Sequence, residues 1–289
     1  MFMKTKYLEK PMKIVFFITA LTAVLAVLLI CVFLFANGVP AMGKIGLFSF
    51  LGGKDWSPTD TPSSFGILPM IMGSIYTTFG AIIIGVPIGL MTAIFMARFS
   101  TKRINKFLNP VVELLAGIPS IIYGFFGLQV IVPFVRDSFG GNGNSILTAS
   151  LLLGFMILPT IIAVSKASLD AVDKTYYEGA LALGASHEKS VMKVVVPAAK
   201  SGIIAAVVLG IGRAIGEAMA VTMVIGNQAR MPIGLLKGAR TLTTNIVSEM
   251  SYAADLHREA LIATGVVLLV FILIINLVLA LINKKAGGR

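Results

Sequence analysis

Long uncharged apolar runs alternate with short charged blocks along this chain. A helix rises about 1.5 Å per residue, so roughly 20 apolar residues cross a hydrocarbon core. Six runs meet that length and predict membrane-spanning helices at residues 14–36, 67–97, 107–135, 146–164, 201–225 and 260–283. The third carries one charge, Glu113, and the fifth carries Arg213 and Glu217. The first run follows basic residues, as a signal peptide would, but its length exceeds a signal core of about 7–15 residues. No clear small-x-small cleavage site follows it, so it reads as an uncleaved helix.

Several runs hold Pro and Gly where a soluble helix would avoid them: Gly85-Val-Pro-Ile-Gly89, Gly117-Ile-Pro-Ser120, Pro133 and Pro159. Membrane helices tolerate such residues because neighbouring helices satisfy the freed backbone groups. Gly85/Gly89 and Gly212/Gly216 are small-xxx-small pairs that favour close helix approach. Packing alone explains them; kinked helices lining a moving path explain them equally in kind.

Composition sharpens the class. The chain is 57% hydrophobic and 13% charged, with a mean hydropathy of +0.93. Soluble domains carry about 25% charge. A water-soluble enzyme and a disordered chain are both excluded. The net charge of +11 does not argue for nucleic acid, because the basic residues sit in short blocks between spans. There they set orientation. With odd-numbered segments inside, the inner segments hold sixteen Lys and Arg against seven in the opposite loops. Both termini are therefore expected in the cytoplasm of a multi-pass cell-membrane protein. Cys31 is the lone cysteine and cannot form an intrachain disulfide.

Candidate chemistry is sparse. Gly38-Val-Pro-Ala-Met-Gly43-Lys44-Ile45 nearly spells a phosphate-binding P-loop, but Ile follows the lysine where Ser or Thr must hold Mg²⁺. No other nucleotide, metal or hydrolase motif is present, and no enzyme site or resident cofactor is expected. Arg213 falls near the middle of its span, and Glu217, four residues on, shares its helical face. A charge at that depth costs at least about 2.5–3.5 kcal/mol on insertion scales, so it needs a partner, protein or water. Two readings stand: a structural Arg213–Glu217 ion pair, or a polar point on an anion path, where the planar Arg fork suits an oxyanion. Asn109-Pro110 reads as a helix start, with Glu113 favoured by the first-turn dipole.

The loop at about 166–200 is the most informative stretch. Tyr177-Glu178-Gly179-Ala180-Leu181-Ala182-Leu183-Gly184 predicts a short Ala/Leu-rich helix with a Gly break. A second helix follows and closes at Val194-Val195-Val196-Pro197. The loop is nearly neutral, so a soluble partner's groove suits its apolar side chains better than a lipid surface.

These residues resemble the EAA loop of type I ABC importer permeases: Glu-Ala-Ala, three residues, Gly, nine residues, Ile-x-Leu-Pro. The chain supplies Glu178, Gly179, Ala180, Gly184 and Pro197 at that spacing, with Gly for the first Ala and Val for Ile and Leu. More narrowly, Leu115-Ala-Gly-Ile-Pro-Ser-Ile-Ile-Tyr-Gly-Phe-Phe-Gly127 and Gly212-Arg-Ala-Ile-Gly-Glu-Ala-Met-Ala-Val221 resemble the phosphate-specific permeases of the PstC type. The resemblance implies an all-α type I ABC importer permease fold with six transmembrane helices. It implies an N-terminal part at 1–66, a permease domain at 67–284 with the coupling loop inside it, and a tail at 285–289. It further implies a sister permease (PstA), two copies of an ATPase subunit (PstB) that binds the ATP, and an extracytoplasmic phosphate-binding protein (PstS), all at the lipid membrane. Arg213 and Glu217, with Glu113 beside them, are then the expected substrate-path residues. Glu178, Gly179, Ala180, Gly184 and Pro197 are the expected ATPase-coupling residues. Two alternatives stay open: a permease for another oxyanion such as sulfate or molybdate, or a secondary transporter, though no internal repeat of the kind common there is visible.

Overall fold

The computed structural model describes residues 5–287. The ends of both expected tails, residues 1–4 and 288–289, lie outside the described residues. Helix α1 (Thr5–Ile45) leads into α2 (Leu47–Gly52) and a two-stranded antiparallel hairpin, β1 (Trp56–Ser57) and β2 (Ser64–Phe65). α3 (Leu68–Ile94) continues through a π-turn at Phe95–Phe99. α4 (Lys102–Gly117) precedes a span built of α5 (Ser120–Phe126), a π-turn and α6 (Val132–Phe139). α7 (Ile146–Asp170) is followed by α8 (Lys174–Ala182), α9 (His187–Ser190), a π-turn and α10 (Val196–Ala198). α11 (Lys200–Gly216), α12 (Met219–Val224), α13 (Leu242–Glu249) and α14 (Asp255–Gly287) complete the described chain.

Five described helices are long and apolar enough to cross a membrane, and the bent pair His187–Ala198 with Lys200–Gly216 makes six. The count thus agrees with the hydropathy pattern, but the bounds of the first, third and fifth spans differ, the fifth being the bent pair at 187–216 and not 201–225. The first helix runs on through the P-loop-like stretch to Ile45, so that stretch is a helix and forms no phosphate loop. The third span begins at Ser120 and not at 107. Residue 118, caught before Pro119, takes an extended conformation (φ −67°, ψ 125°) and ends α4, because a proline crowds the helical form of the residue before it. α4 is a separate amphipathic helix capped by Thr101, whose side chain accepts from the Ile104 amide. Asn109 and Pro110 therefore lie inside α4 and do not start a helix, and Glu113 is not in a first turn.

Three apolar clusters follow one another along the bundle. One end holds Phe50, Trp56, Phe65, Ile67, Met70, Leu242 and Leu261. The centre packs Leu152, Met156, Ile157 and Ile161 of α7 against Val224 and Ile225. The other end joins Ala93, Ile94, Leu169, Val191, Val195 and Ile203. The tightest seam is between α3 and α7. A Cβ at Gly85 would sit 2.7 Å from Ile157 and 2.8 Å from the Gly154 carbonyl, so only glycine permits this approach. Gly212 and Gly216, the other small-residue pair, meet nothing within 4 Å in this chain. The apolar window of α1 is wholly exposed, as suits a face turned to hydrocarbon.

Candidate functional site

The fifth apolar run is two helices, broken between its two charges. α11 ends at Gly216, Glu217 is extended (φ −72°, ψ 124°), and α12 starts at Met219. Arg213 and Glu217 consequently do not share a helix face and make no ion pair. Glu217 Oε1 accepts the Ala220 amide at 3.1 Å, satisfying an orphan donor at the start of α12. The carbonyl of Glu217, freed by the break, accepts from Thr243 Oγ1 of α13 at 3.0 Å. Gly216, a weak helix former, sits where the helix stops.

Arg213 Nη1 donates to Thr160 Oγ1 of α7 at 3.3 Å. Among the described residues, no carboxylate pairs with Arg213. A guanidinium has five N–H donors in a planar fork, so most of this one's capacity remains unspent. That is an arrangement able to bind an oxyanion. Glu113 is elsewhere: it is exposed on α4 and lines a cleft with Asn109, Val112, Lys166 and Asp170. No hydrogen bond or ion pair joins it to Arg213 or Glu217.

At the other end of the bundle the expected coupling loop has the predicted form: helix, glycine break, second helix, proline. α8 is capped by Asp173, whose carboxylate accepts the Thr175 amide at 2.9 Å. That bond holds Asp173 below the ordinary carboxylate range. Glu178, Gly179 and Ala180 occupy the middle of α8, and Glu178 and Gly179 are exposed. Gly184 has φ +84°, and the Ala185 amide returns to the Ala180 carbonyl at 3.1 Å, closing the helix in the way a C-terminal glycine permits. Pro197 lies in α10 just before the 69° bend into α11. Tyr177 fixes α8 to the body: it packs on the Val191 and Val195 cluster, and its hydroxyl meets His187 Nδ1 at 2.8 Å. Leu183, by contrast, is 91% exposed and Tyr176 58%. These apolar side chains have no cover within the chain.

Two groups of residues were not legible from the sequence. Thr160 is one, signalled only by the Pro159 beside it. The other is a buried polar cluster around Glu249. Its Oε2 meets Trp56 Nε1 at 2.9 Å and His257 Nε2 at 2.8 Å, and its Oε1 accepts from Arg240. Burial pushes the Glu249 carboxyl up, but the bonds from Trp56, His257 and Arg240 outweigh it and hold it below the ordinary range.

Residues 85–288 match the family described as "Binding-protein-dependent transport system inner membrane component". The chain belongs to that family, the membrane-spanning permeases of type I ABC importers. It is 40% identical over 266 residues to the probable ABC transporter permease protein YqgH of Bacillus subtilis, covering 89% of this chain and 86% of the relative. It is 36% identical over 267 residues to the phosphate transport system permease protein PstC of Mesorhizobium japonicum, covering 85% and 81%. Among solved structures, a chain of the bacterial alginate ABC transporter aligns with a TM-score of 0.65 at 16% identity, covering 99% of this chain and 97% of that one. A chain of the MetNI methionine ABC transporter aligns with a TM-score of 0.57 at 20% identity, covering 76% and 94%. At those identities the structural likeness concerns the fold alone.

Proposed function

We propose that this chain is the permease subunit of an ATP-driven importer of inorganic phosphate. The observation that carries the reading is Arg213: a cation in the broken fifth span, hydrogen-bonded to Thr160 and paired with no carboxylate among the described residues. An unpaired cation in a span calls for an anion or water. A tetrahedral oxyanion fits a planar multi-donor fork. The relatives named as phosphate transport permeases support phosphate as that anion.

In this reading the end of the bundle that carries α8 faces the cytoplasm, with both termini, because the basic residues cluster on that side. α8, with its exposed Glu178, Gly179 and Leu183, seats in a groove of an ATPase subunit that binds and hydrolyses the ATP. Two such subunits serve this permease and a sister permease, and a phosphate-binding protein delivers the ion at the opposite face. Closing of the ATPase dimer moves α8, and Tyr177 with His187 passes that motion to the helix ends packed beneath them. Arg213 lowers the barrier to the passing anion. Glu217, held by the α12 start, keeps negative charge near enough to stop phosphate from being trapped.

The test is low-micromolar phosphate uptake in source cells that lack only this gene and any second phosphate importer, with and without the gene restored. Loss and recovery of uptake support the reading. Uptake that survives deletion, or that sulfate or molybdate suppresses in preference to phosphate, assigns the permease to another oxyanion.

A further inference from the structure

The Glu249 cluster joins four stretches that are far apart in sequence. Trp56 comes from β1, Arg240 from the loop before α13, Glu249 from the end of α13, and His257 from the first turns of α14. The side chains of Glu249, Arg240 and His257 are only 8%, 14% and 11% exposed. Buried ion pairs are seldom retained for stability, since apolar side chains of similar volume often do as well. What this one holds is specific. Arg240 Nη2 donates to the Asn227 carbonyl at 3.1 Å, and its Nη1 also donates to Asn245 Oδ1 at 3.0 Å. Asn227 stands in the left-handed region (φ +48°) and returns its side-chain amide to the Thr222 carbonyl at 2.8 Å, closing α12. At the start of α13, Thr243 holds the Glu217 carbonyl, and the Leu242 amide donates to Ser74 Oγ of α3 at 3.0 Å. Both ends of segment 217–227 are therefore fastened from the stretch 240–249. Glu249 is the group that keeps Arg240 in place.

We propose that Glu249 is a positioning residue for transport: through Arg240 and α13 it fixes the broken segment 217–227 from the end of the bundle that carries the Trp56 hairpin. The proposal rests on the reading of Glu217 as a path residue. It adds a physical link from the hairpin to that residue. The hairpin tip, at Asp60, Thr61 and Pro62, is exposed, so a partner seated there would act on Trp56 and thence on Glu249. Without the carboxylate, Arg240 is left buried and unpaired. It must turn towards water, and the Asn227 carbonyl and Asn245 lose their donor.

The test uses the intact importer complex in membranes, with Cys31→Ser as background, since Cys31 is the only cysteine of this chain, and labelling is read on this chain after the subunits are separated. A reporter cysteine is placed by Met219→Cys, two residues past Glu217 in α12, and a control by Ser201→Cys at the start of α11. Maleimide labelling rates are compared with and without Glu249→Gln, alongside uptake per assembled complex. The expected result is a change of about threefold or more at 219, from local loosening, with none at 201. Uptake per complex should fall about tenfold, as a broken buried pair displaces the segment. Trp56→Phe, which removes one donor to Glu249 and keeps the charges, should move 219 the same way by less. Unchanged labelling at 219, or equal change at 219 and 201, overturns the proposal. If the Glu249→Gln complex does not accumulate, Trp56→Phe decides on the same criterion. A wild-type complex that carries a different anion would refute the phosphate reading alone, because the labelling comparison does not depend on which anion crosses.

Discussion

Arg213 and Glu217 stand on either side of the break at Gly216, one bound to Thr160 of α7 and the other to the Ala220 amide of α12. The separation decides what each charge can do. In one continuous helix they would neutralise each other across a single turn. Broken apart, Arg213 spends one donor on Thr160 and keeps the others open, while Glu217 is committed to the backbone that follows it. An oxyanion that reached this point would meet a cation paired with no carboxylate among the described residues.

Thr160 is the side chain that aims Arg213. Thr160→Val preserves shape and removes the hydroxyl that accepts from Nη1. A hydrogen bond to a charged group contributes about 1.5 kcal/mol or more, which corresponds to roughly a tenfold loss in uptake rate per complex. Membrane abundance should be unchanged, as followed by quantitative blotting. An uptake rate equal to wild type would remove Thr160 from the site.

The two glycines of the proposed coupling loop should behave oppositely. A Cβ at Gly179 meets nothing within 4 Å, so Gly179→Ala should stabilise α8 by about 1 kcal/mol and leave uptake intact. Gly184 also has open space, but its φ of +84° is adverse to any Cβ. Gly184→Ala should cost about 1–2 kcal/mol locally and lower the yield of co-purified ATPase subunits. Pull-down of the complex and thermal melting of the detergent-solubilised permease check both.

The pattern of spans and the helix–glycine–helix form of the loop after α7 were legible because their signals are local. Hydropathy runs mark spans, and Gly184 with Pro197 marks the ends of the loop helices. The third apolar run begins before the third span because apolar residues of α4 run on towards Ser120, and only Pro119 betrays the stop. The break at Gly216 was hidden because the residues around Gly216 and Glu217 are Ala, Ile, Met and Val, which continue a helical pattern, and a bond that holds the break open comes from Thr243, far along the chain. The Glu249 cluster was hidden for the same reason: Trp56 lies 193 residues away, and Arg240 read as one more loop charge.

Glu249 also sets an acid limit. Its carboxyl is held below the ordinary value of 4.5, so ionised Glu249 stabilises the folded state. That contribution is fully present above the unfolded value and is lost as pH falls through the lower folded value. Thermal stability of the solubilised permease should therefore be flat in this respect above about pH 5 and decline below it. Glu249→Gln should be less stable at neutral pH and show a shallower acid decline, as read by melting temperature from pH 7 down to the acid limit. An identical acid slope in the variant would mean that other carboxylates carry it.

The most direct test of the central claim is phosphate uptake by Arg213→Gln, measured per complex at matched membrane abundance and with ATPase subunits still bound. Gln keeps a shorter polar side chain but removes the charge and the fork. The account predicts that uptake is abolished while the complex assembles normally. Uptake at the wild-type rate would contradict it, and so would loss of the complex in place of loss of transport, which would make Arg213 a structural residue.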